Sequence, residues 1–528
     1  MKSRLRVAAI AAALAALPAT AAITELKVSS TQPYGEFARG KYVRIEAEAQ
    51  GALDPAAESI PGLAQAPRNA QGRVEYRVPV TLLVPEKRAS NGALLVDVPN
   101  RGRPISHGLY NSPRVRSIAV GSLDQGTGFL EERGFTVAVV QWELGEGPQL
   151  PAFEGGGRKL YAEGVGFAAL RDVAIFLRDG GKTGNPVART IDRTLAVGYS
   201  QTARLLKSFV VNGFNERGGK TAFDGLHLIQ AAGGVMPLLD AGPGPGSVAA
   251  VTPGHRNPEH RGVHEAPFTW GEVMASVAGK YRKAPHVVVS NAYNDYLGGR
   301  ASLVRTGPGS KDDQPIPGNV RIYDISGSPH INGRARNPDC GEGPGQLDWA
   351  PAARAQLVAL DAWVAKGGKA PPASRLFTLE ARPADPEVFQ APAYLAGAVV
   401  KVPVKDRDGN AQSGLVLPDV AVPIASHGAM NTPLTTMACR QAGTYRPFAL
   451  KADERKAKND DRLSLEERYP GGINEYVTKV RMAANALVAE RLLLPEDATV
   501  ILHAAAENPA FTPTRPRARG ATPQPGVR

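Results

Sequence analysis

Cysteine is scarce in this sequence, and no hydrophobic run is long enough to form a membrane-spanning helix. The 528 residues include two cysteines, Cys340 and Cys439, and no CxxC motif, which argues against a CxxC redox centre. No stretch approaches the roughly 20 apolar residues that a membrane helix needs, so we expect no stable membrane insertion. In an oxidising compartment an isolated cysteine pair usually forms a disulfide. We therefore predict a Cys340–Cys439 disulfide, and two buried free thiols are the alternative.

Basic residues outnumber acidic ones, yet the features of a nucleic-acid-binding protein are missing. Lys and Arg number 62 against 50 Asp and Glu, which gives a net charge of +12. Part of this excess falls in residues 511–528, a tail rich in Pro, Arg and Gly that we expect to be disordered. The chain has no basic helix, no alternation of basic and aromatic residues and no zinc-finger spacing. The composition therefore predicts no nucleic-acid partner.

The first 21 residues have the three parts of a secretory signal peptide. Lys2 and Arg4 give a positive start, and an alanine-rich apolar run follows over residues 7–17. The sequence ATA at 19–21 then supplies the small residues of a signal-peptidase site. We predict that residues 1–21 are a signal peptide and that the protein is exported, either to a periplasm or out of the cell. An uncleaved membrane anchor is the alternative.

From about Ala93 onward, short apolar runs alternate with segments of helical spacing. The runs show no alternation of apolar and polar residues, which is typical of strands buried on both faces of a parallel sheet. Between them, residues such as Phe167, Leu170 and Leu177 recur at helical spacing. Strand and helix in this rhythm predict an α/β fold with a doubly wound, mostly parallel sheet. The runs are ALLVDV (93–98), TVAVVQ (136–141), TLAV (194–197), LHLIQAA (226–232), HVVVS (286–290) and VRIYDI (320–325).

The pattern divides the chain into a core and flanking regions. Residues 22–90 alternate apolar and polar positions and are predicted to form a β-rich N-terminal flank. Residues 91–375 form the predicted core, and its Pro/Gly-rich insertion at 240–270 is predicted to be a lid-like or binding loop. The breaker cluster GGKAPPASR ends the core. Residues 376–510 are predicted to be a C-terminal extension packed on it.

One serine stands where a predicted strand gives way to a helix, in AVGYSQTARLL (196–206). The segment GYSQ begins like the nucleophile elbow G-x-S-x-G of α/β-hydrolases, in which a tight turn exposes the serine hydroxyl. Thr202 replaces the last glycine of that motif. Because the context is strand, turn and helix, we predict that Ser200 is a nucleophile. An ordinary helix N-cap is the alternative.

Candidates for the acid and the base follow Ser200 in the order that an α/β-hydrolase triad requires. Asp295 follows the run HVVVS, and His330 follows the run VRIYDI. Both positions lie just beyond the carboxyl ends of predicted strands, where parallel sheets place their ligand sites. Asp324 is a rival acid, although it lies within a strand. A helix cap for Asp295 and a plain surface histidine for His330 are the structural alternatives.

An oxyanion hole needs N–H donors close to the nucleophile. The N–H of Gln201, directly after the serine, is the first candidate, and the second usually comes from the loop after an early strand. That loop is DVPNRG, so Arg101 or Gly102 is the second candidate. Turn formation by the same residues is the alternative.

A cluster of histidines occurs in the 240–270 insertion, at His255, His260 and His264. A zinc site would need a helix or hairpin to bring these side chains together, and the composition of the loop predicts neither. We therefore expect no metal ion and no cofactor.

The sequence resembles a family of large exported bacterial α/β hydrolase domain-containing proteins over nearly all of its length after residue 21. The family elbow is G-x-S-Q-S-G, so Thr202 keeps the hydroxyl of the family's serine and Ala203 replaces the last glycine. By similarity, the family triad corresponds to Ser200, Asp295 and His330. The segments that carry the resemblance are APRNAQGRVEY (66–76), LLVDVPNRG (94–102), FLEERGFTVAVVQW (129–142), GYSQTARLLKSFV (198–210), RASLVRT (300–306), VRIYDISGSPH (320–330), DDRLSLEERY (460–469) and LVAERLLLPEDA (487–498).

The resemblance and the order of the residues together predict an exported serine hydrolase. Its substrate would be a carboxylic ester, either a small molecule or an oligomer, and hydrolysis would pass through an acyl-enzyme without a cofactor. Acyl transfer or amide cleavage by the same triad is one alternative. A non-catalytic binding protein with a hydrolase fold is the other.

Overall fold

The computed structural model of the chain describes eight segments. They are residues 22–112, 122–155, 157–179, 184–236, 267–308, 312–331, 336–381 and 401–511. The predicted signal peptide, the basic tail after residue 511 and most of the 240–270 insertion, with its three histidines, lie outside the described residues.

The strands and helices alternate through the middle of the chain, as the sequence predicts. The strands are β1 (Ile23–Phe37), β2 (Gly40–Leu53), β3 (Val74–Pro85), β4 (Ala93–Asp97), β5 (Thr136–Val140), β6 (Ala152–Gly155), β7 (Arg158–Tyr161), β8 (Arg193–Tyr199), β9 (Glu216–Arg217), β10 (Lys220–Thr221), β11 (Gly225–Ile229), β12 (His286–Ala292), β13 (Val320–Ile325), β14 (Leu379–Ala381), β15 (Lys401–Pro403), β16 (Ala425–Gly428) and β17 (Thr444–Pro447). The α-helices are α1 (Ile105–Tyr110), α2 (Phe129–Glu132), α3 (Val165–Arg178), α4 (Gln201–Val211), α5 (Trp270–Ser276), α6 (Tyr293–Gly298), α7 (Leu303–Thr306), α8 (Ala350–Val364), α9 (Pro418–Ala421), α10 (Met437–Arg440), α11 (Ala452–Ala457), α12 (Leu465–Arg468), α13 (Gly472–Ala489) and α14 (Pro495–Ala506). Within the described segments, none of these helices has the length and apolar character needed to cross a bilayer.

One mixed sheet of nine strands organises the fold, in the order β1-β2-β3-β5-β4-β8-β11-β12-β13. The six strands from β5 to β13 in this order run parallel to one another. Strands β1 to β3 extend the sheet in antiparallel fashion, and β3 joins them to β5. The predicted fold class, a mostly parallel α/β sheet with a β-rich N-terminal flank, is therefore confirmed.

Successive side chains of the parallel strands pack into two different helix layers. On β4, Leu94 and Val96 belong to the core that contains α3 and α4, whereas Leu95 belongs to the core that contains α1 and α8. This division follows because neighbouring residues of a strand point to opposite faces of a sheet. Burial of each such side chain contributes roughly 1.5–3 kcal/mol to stability. A strand covered on both faces needs no polar alternation, which explains the continuous apolar runs.

The C-terminal region is attached to the core by charge and by a covalent bond. Arg354 of α8 and Asp497 of α14 form a buried ion pair with an Nη2–Oδ1 distance of 2.6 Å. Cys340 and Cys439 form a disulfide across a sequence separation of 99 residues. The predicted disulfide is therefore confirmed, and it links the chain that follows His330 to the C-terminal region.

Candidate active site

Ser200 lies at a sharp turn between β8 and α4. Its φ of 57° and ψ of −105° are strained for a residue with a side chain. A Cβ on Gly198 would come within 2.4 Å of the Thr202 carbonyl oxygen, so strand and helix approach too closely for any other residue there. The turn has the geometry that the elbow motif predicts, and it holds the serine at the carboxyl end of β8.

Thr202, the departure from the general elbow motif, closes this turn with its hydroxyl. Its Oγ1 accepts the Tyr199 N–H at 2.9 Å and donates to the Tyr199 carbonyl oxygen at 3.2 Å. Thr202 is fully buried, and a buried backbone N–H needs such a partner. A hydroxyl at this position therefore performs a structural role that glycine could not.

His330 lies between Ser200 and Asp295. Its Nε2 is 2.9 Å from Ser200 Oγ, and its Nδ1 is 2.9 Å from Asp295 Oδ1. In the tautomer protonated at Nδ1, the imidazole donates to the carboxylate and accepts from the serine hydroxyl. Asp295 is 2% exposed and His330 is 9% exposed, whereas Ser200 is half-buried. The three predicted triad residues thus lie in one hydrogen-bonded row that is open at the serine end.

The second carboxylate oxygen of Asp295 caps the helix to which the residue belongs. Oδ2 accepts the Ala292 N–H at 2.7 Å, and Asp295 lies in the first turn of α6. Asp295 therefore caps α6 and not the helix that the sequence suggests near Arg300. This cap is compatible with the contact to His330, because each uses a different oxygen.

The backbone beside His330 is held by three neighbouring elements. The Tyr199 hydroxyl, at the end of β8, donates to the His330 carbonyl oxygen. Gln230, after β11, donates from Nε2 to the carbonyl oxygen of Pro329, the residue before His330, at 3.3 Å. The Tyr293 N–H, at the start of α6, donates to Ser328 Oγ at 3.0 Å. The position of the imidazole is thus fixed by the sheet edge rather than by the loop alone.

Asp324, the rival acid, is enclosed by other donors. It is fully buried on β13, where a carboxylate requires hydrogen bonds or an opposite charge. The donors to its two oxygens are Asn291 Nδ2 at 2.9 Å, Tyr296 OH at 2.7 Å, Arg305 Nη1 at 3.2 Å and the Phe377 N–H at 2.9 Å. This network joins β12, α6 and α7 to the chain after α8, and it gives Asp324 a structural role.

The sequence matches a family model described as alpha/beta hydrolase domain over residues 132–503. The chain belongs to this alpha/beta hydrolase family. Among solved structures it is similar to a glucuronoyl esterase from Solibacter usitatus, with 13% identity, coverage of 57% of this chain and 80% of that chain, and a TM-score of 0.29. It is also similar to a glucuronoyl esterase from Teredinibacter turnerae, with 13% identity, coverage of 52% and 63%, and a TM-score of 0.26. A third similar structure is a rice cell wall degrading esterase from Xanthomonas oryzae, with 12% identity, coverage of 58% and 91%, and a TM-score of 0.26. No curated protein matches the sequence.

In this hydrolase, two of the candidate oxyanion residues contact a buried glutamate that the sequence analysis missed. Glu143 accepts the Arg101 N–H at 3.0 Å and the Gln201 side-chain amide at 3.1 Å. The Arg101 N–H therefore already has a partner, which corrects its assignment as an oxyanion donor. The N–H groups of Gln201 and Gly102 stay as the predicted donors.

Glu143 is a buried carboxylate at the carboxyl edge of the sheet. Burial raises its pKa, and the Gln201 amide and the Arg101 charge oppose that rise. Its position just after the apolar run of β5 is the same signal that pointed to Asp295 after β12. The sequence could therefore have indicated it at the carboxyl edge of the sheet.

Two buried histidines away from Ser200 have structural partners in the hydrolase. His107 Nε2 is 3.2 Å from Glu131 Oε1. His227 lies between the Tyr110 hydroxyl, at 2.6 Å, and Ser290 Oγ, at 2.8 Å. Across the segments that the structure describes, no group of three or more His, Cys, Asp or Glu side chains could hold a metal ion.

Proposed function

We propose that this chain is an exported serine hydrolase that cleaves carboxylic esters. Ser200 is the nucleophile, His330 the general base and Asp295 the acid that orients the imidazole. The observation that carries the proposal is the row of contacts from Ser200 Oγ through His330 to Asp295, with 2.9 Å at each step. A serine hydroxyl is a weak nucleophile at neutral pH, and an imidazole within hydrogen-bond reach is the group that activates it.

The reaction proceeds in two halves through an acyl-enzyme. Ser200 Oγ attacks the ester carbonyl while His330 Nε2 takes the hydroxyl proton, and the same nitrogen gives that proton to the departing alcohol oxygen. In the second half, His330 takes a proton from water, the water oxygen attacks the acyl carbon, and the proton returns to Ser200 as the acid leaves. Asp295 keeps His330 Nδ1–H oriented and stabilises the imidazolium.

The negative charge that develops on the carbonyl oxygen needs donors in place before the reaction. The N–H groups of Gln201, at the start of α4, and Gly102, after β4, are the assigned pair. Removing one such donor typically lowers kcat by about 10²–10³-fold. The groups of this chain supply the nucleophile, the proton transfer and the charge stabilisation that ester hydrolysis requires.

Active-site labelling tests the assignment of the nucleophile. A fluorophosphonate probe should label the purified protein at Ser200, and Ser200→Ala should abolish both labelling and turnover of a 4-nitrophenyl ester. Ser29→Ala changes an exposed serine of β1 and should leave both unchanged. An unlabelled wild-type protein, or a label on another residue, would refute the proposal. Comparison with the matched 4-nitroanilide separates ester from amide cleavage, and faster ester turnover is expected.

Export is tested separately from catalysis. Expression of the full chain in a bacterium should give a mature protein in the periplasm or medium whose N-terminus is Ala22. Mass spectrometry of the intact protein measures this. A cytoplasmic protein that retains residues 1–21 would refute the export part of the proposal and leave the catalytic part standing.

A further inference from the structure

Arg204 is a buried cation in which two nitrogen atoms have no partner. Its Nε and Nη2 are buried and form no hydrogen bond with the described residues, and the residue is 3% exposed. A guanidinium keeps its charge at any physiological pH. A buried charge with unsatisfied donors is strongly unfavourable in the free protein. These two atoms are therefore available to an acceptor that comes from outside the protein.

Arg204 belongs to the same helical turn as the nucleophile. Its N–H bonds to the Ser200 carbonyl oxygen at 3.2 Å in the first turn of α4. Side chains of a helix generally lean toward its N-terminus, and Ser200 lies at that end of α4. The pKa of Arg204 is lowered to about 10, first by burial and then by repulsion from Arg101, against an attraction to Asp295. The guanidinium therefore lies within electrostatic range of Arg101 and of Asp295.

The neighbouring carboxylates are already engaged. Both oxygens of Asp295 are occupied, one by His330 and the other by the Ala292 N–H. Glu143 accepts the N–H of Arg101 and the side-chain amide of Gln201. Among the residues that the structure describes, Arg204 thus has no carboxylate bound to it.

We propose that Arg204 binds a carboxylate group of the substrate, so that the preferred esters are anionic and carry this group on the acyl side near the scissile bond. The inference rests on the proposed function, since it places the carboxylate beside Ser200. Nε and Nη2 form one edge of the planar guanidinium, and this edge binds the two oxygens of a carboxylate side by side. The two unpartnered atoms are therefore the pair that bidentate recognition uses.

A matched pair of esters tests the preference. Mono-4-nitrophenyl glutarate and 4-nitrophenyl pentanoate have acyl chains of equal length, and one ends in a carboxylate where the other ends in a methyl group. After subtraction of the uncatalysed rates, the wild-type kcat/KM should favour the glutarate ester by about 10- to 100-fold. Arg204→Met should bring this ratio close to one, and Arg204→Lys should keep part of it, because the charge stays and the bidentate edge is lost.

Arg88→Met is the control for loss of a positive charge. Arg88 is exposed and precedes β4, at the sheet edge opposite to the carboxyl ends of the strands, so this variant should keep the wild-type ratio. A wild-type ratio near one would overturn the inference. An Arg204→Met variant that folds and keeps the wild-type ratio would overturn it as well.

Inhibition of the wild-type protein provides a measurement that needs no variant. Glutarate should compete with hydrolysis of the pentanoate ester, whereas pentanamide at the same concentration should not, and equal effects would overturn the inference. The fluorophosphonate probe separates a failure of the proposed function from a failure of the anionic preference. Absence of a label on wild-type Ser200 refutes the proposed function, whereas labelling of Ser200 with equal kcat/KM for the two esters refutes the anionic preference alone.

Discussion

Two aspartates at the same edge of the sheet have opposite surroundings. Asp295, after β12, has one oxygen 2.9 Å from His330 Nδ1 and accepts a single backbone N–H with the other. Asp324, on the neighbouring β13, is bound by the Arg305 guanidinium and by three further donors, among them Tyr296. A fixed cation satisfies the charge of a carboxylate and leaves little attraction for a second one. Of these two aspartates, Asp295 is the one with an oxygen within hydrogen-bond distance of the imidazole that becomes charged during turnover.

The largest expected effect comes from neutralising the aspartate beside His330. Asp295→Asn should lower kcat for an activated ester by about 10⁴-fold, because an amide in place of the carboxylate favours the wrong imidazole tautomer and cannot stabilise its charge. The fold should persist, since the amide oxygen can still accept the Ala292 N–H. Stopped-flow or steady-state assays measure the rate, and circular dichroism checks the fold. Unchanged turnover would show that another carboxylate orients His330. The proposed difference in role between Asp295 and Asp324 would then be wrong.

The corresponding aspartate-to-asparagine substitution at Asp324, on the neighbouring strand, should lower stability rather than turnover. Asp324→Asn leaves the buried Arg305 with the exposed Asp313 as its remaining counter-ion. Breaking a buried ion pair from one side typically lowers the free energy of unfolding by about 3–5 kcal/mol. Urea unfolding measures this loss. Turnover per folded molecule should stay at the wild-type order of magnitude. A loss of turnover comparable to that of Asp295→Asn, with unchanged stability, would show that the two aspartates have been assigned the wrong way round.

Removal of the disulfide tests whether this bond holds the chain segment that carries His330 in place. Cys340→Ser combined with Cys439→Ser releases a constraint across 99 residues, for which a loss of typically about 2–4 kcal/mol is expected. Because Cys340 is ten residues after His330, kcat should fall as well. Thermal unfolding and ester turnover measure the two effects. Unchanged stability in the double variant would show that packing alone holds the C-terminal region.

Much of the fold and the triad could be predicted because their signals are local. The apolar runs that contain Leu94 to Val96 and Val287 to Val289 need no knowledge of distant residues to be interpreted as buried strands. Ser200, Asp295 and His330 each follow such a run, and the carboxyl ends of parallel strands share one edge of the sheet. The order of the chain was therefore enough to bring these residues together.

The contacts that could not be predicted depend on pairs far apart in the sequence. Glu143 and the Arg101 N–H are separated by 42 residues, and no local pattern joins them. The lack of a partner for Arg204 is likewise a property of the whole site, because an arginine on an amphipathic helix is most often a solvated residue. The antiparallel contact of β3 with β5, rather than with β4, also follows from long-range packing.

A pH dependence of stability extends the comparison to two buried cations. Arg305 is paired with Asp324, whereas Lys207 of α4 donates from Nζ to the Phe268 carbonyl oxygen at 2.7 Å and has no carboxylate bound to it among the described residues. Burial lowers the pKa of Lys207 to about 7, and the charge of Glu272 opposes this shift only in part. In the unfolded chain the ordinary lysine pKa is about 10.4. Between these two values the unfolded state binds more protons than the native state, so native stability should rise with pH.

Comparison with Lys207→Met isolates this contribution from all other titrating groups. The free energy of unfolding of the wild type relative to Lys207→Met should increase from about pH 7 to about pH 10, with a slope of at most about 1.4 kcal/mol per pH unit. Below pH 7 the lysine is charged in both states and the difference should be constant. Urea titrations at a series of pH values provide the measurement, and Lys456→Met, at an exposed position of α11, serves as the surface control. A difference that stays flat through pH 10 would show that the native state keeps Lys207 charged, and an unpaired buried cation would then be tolerated as well as the paired Arg305.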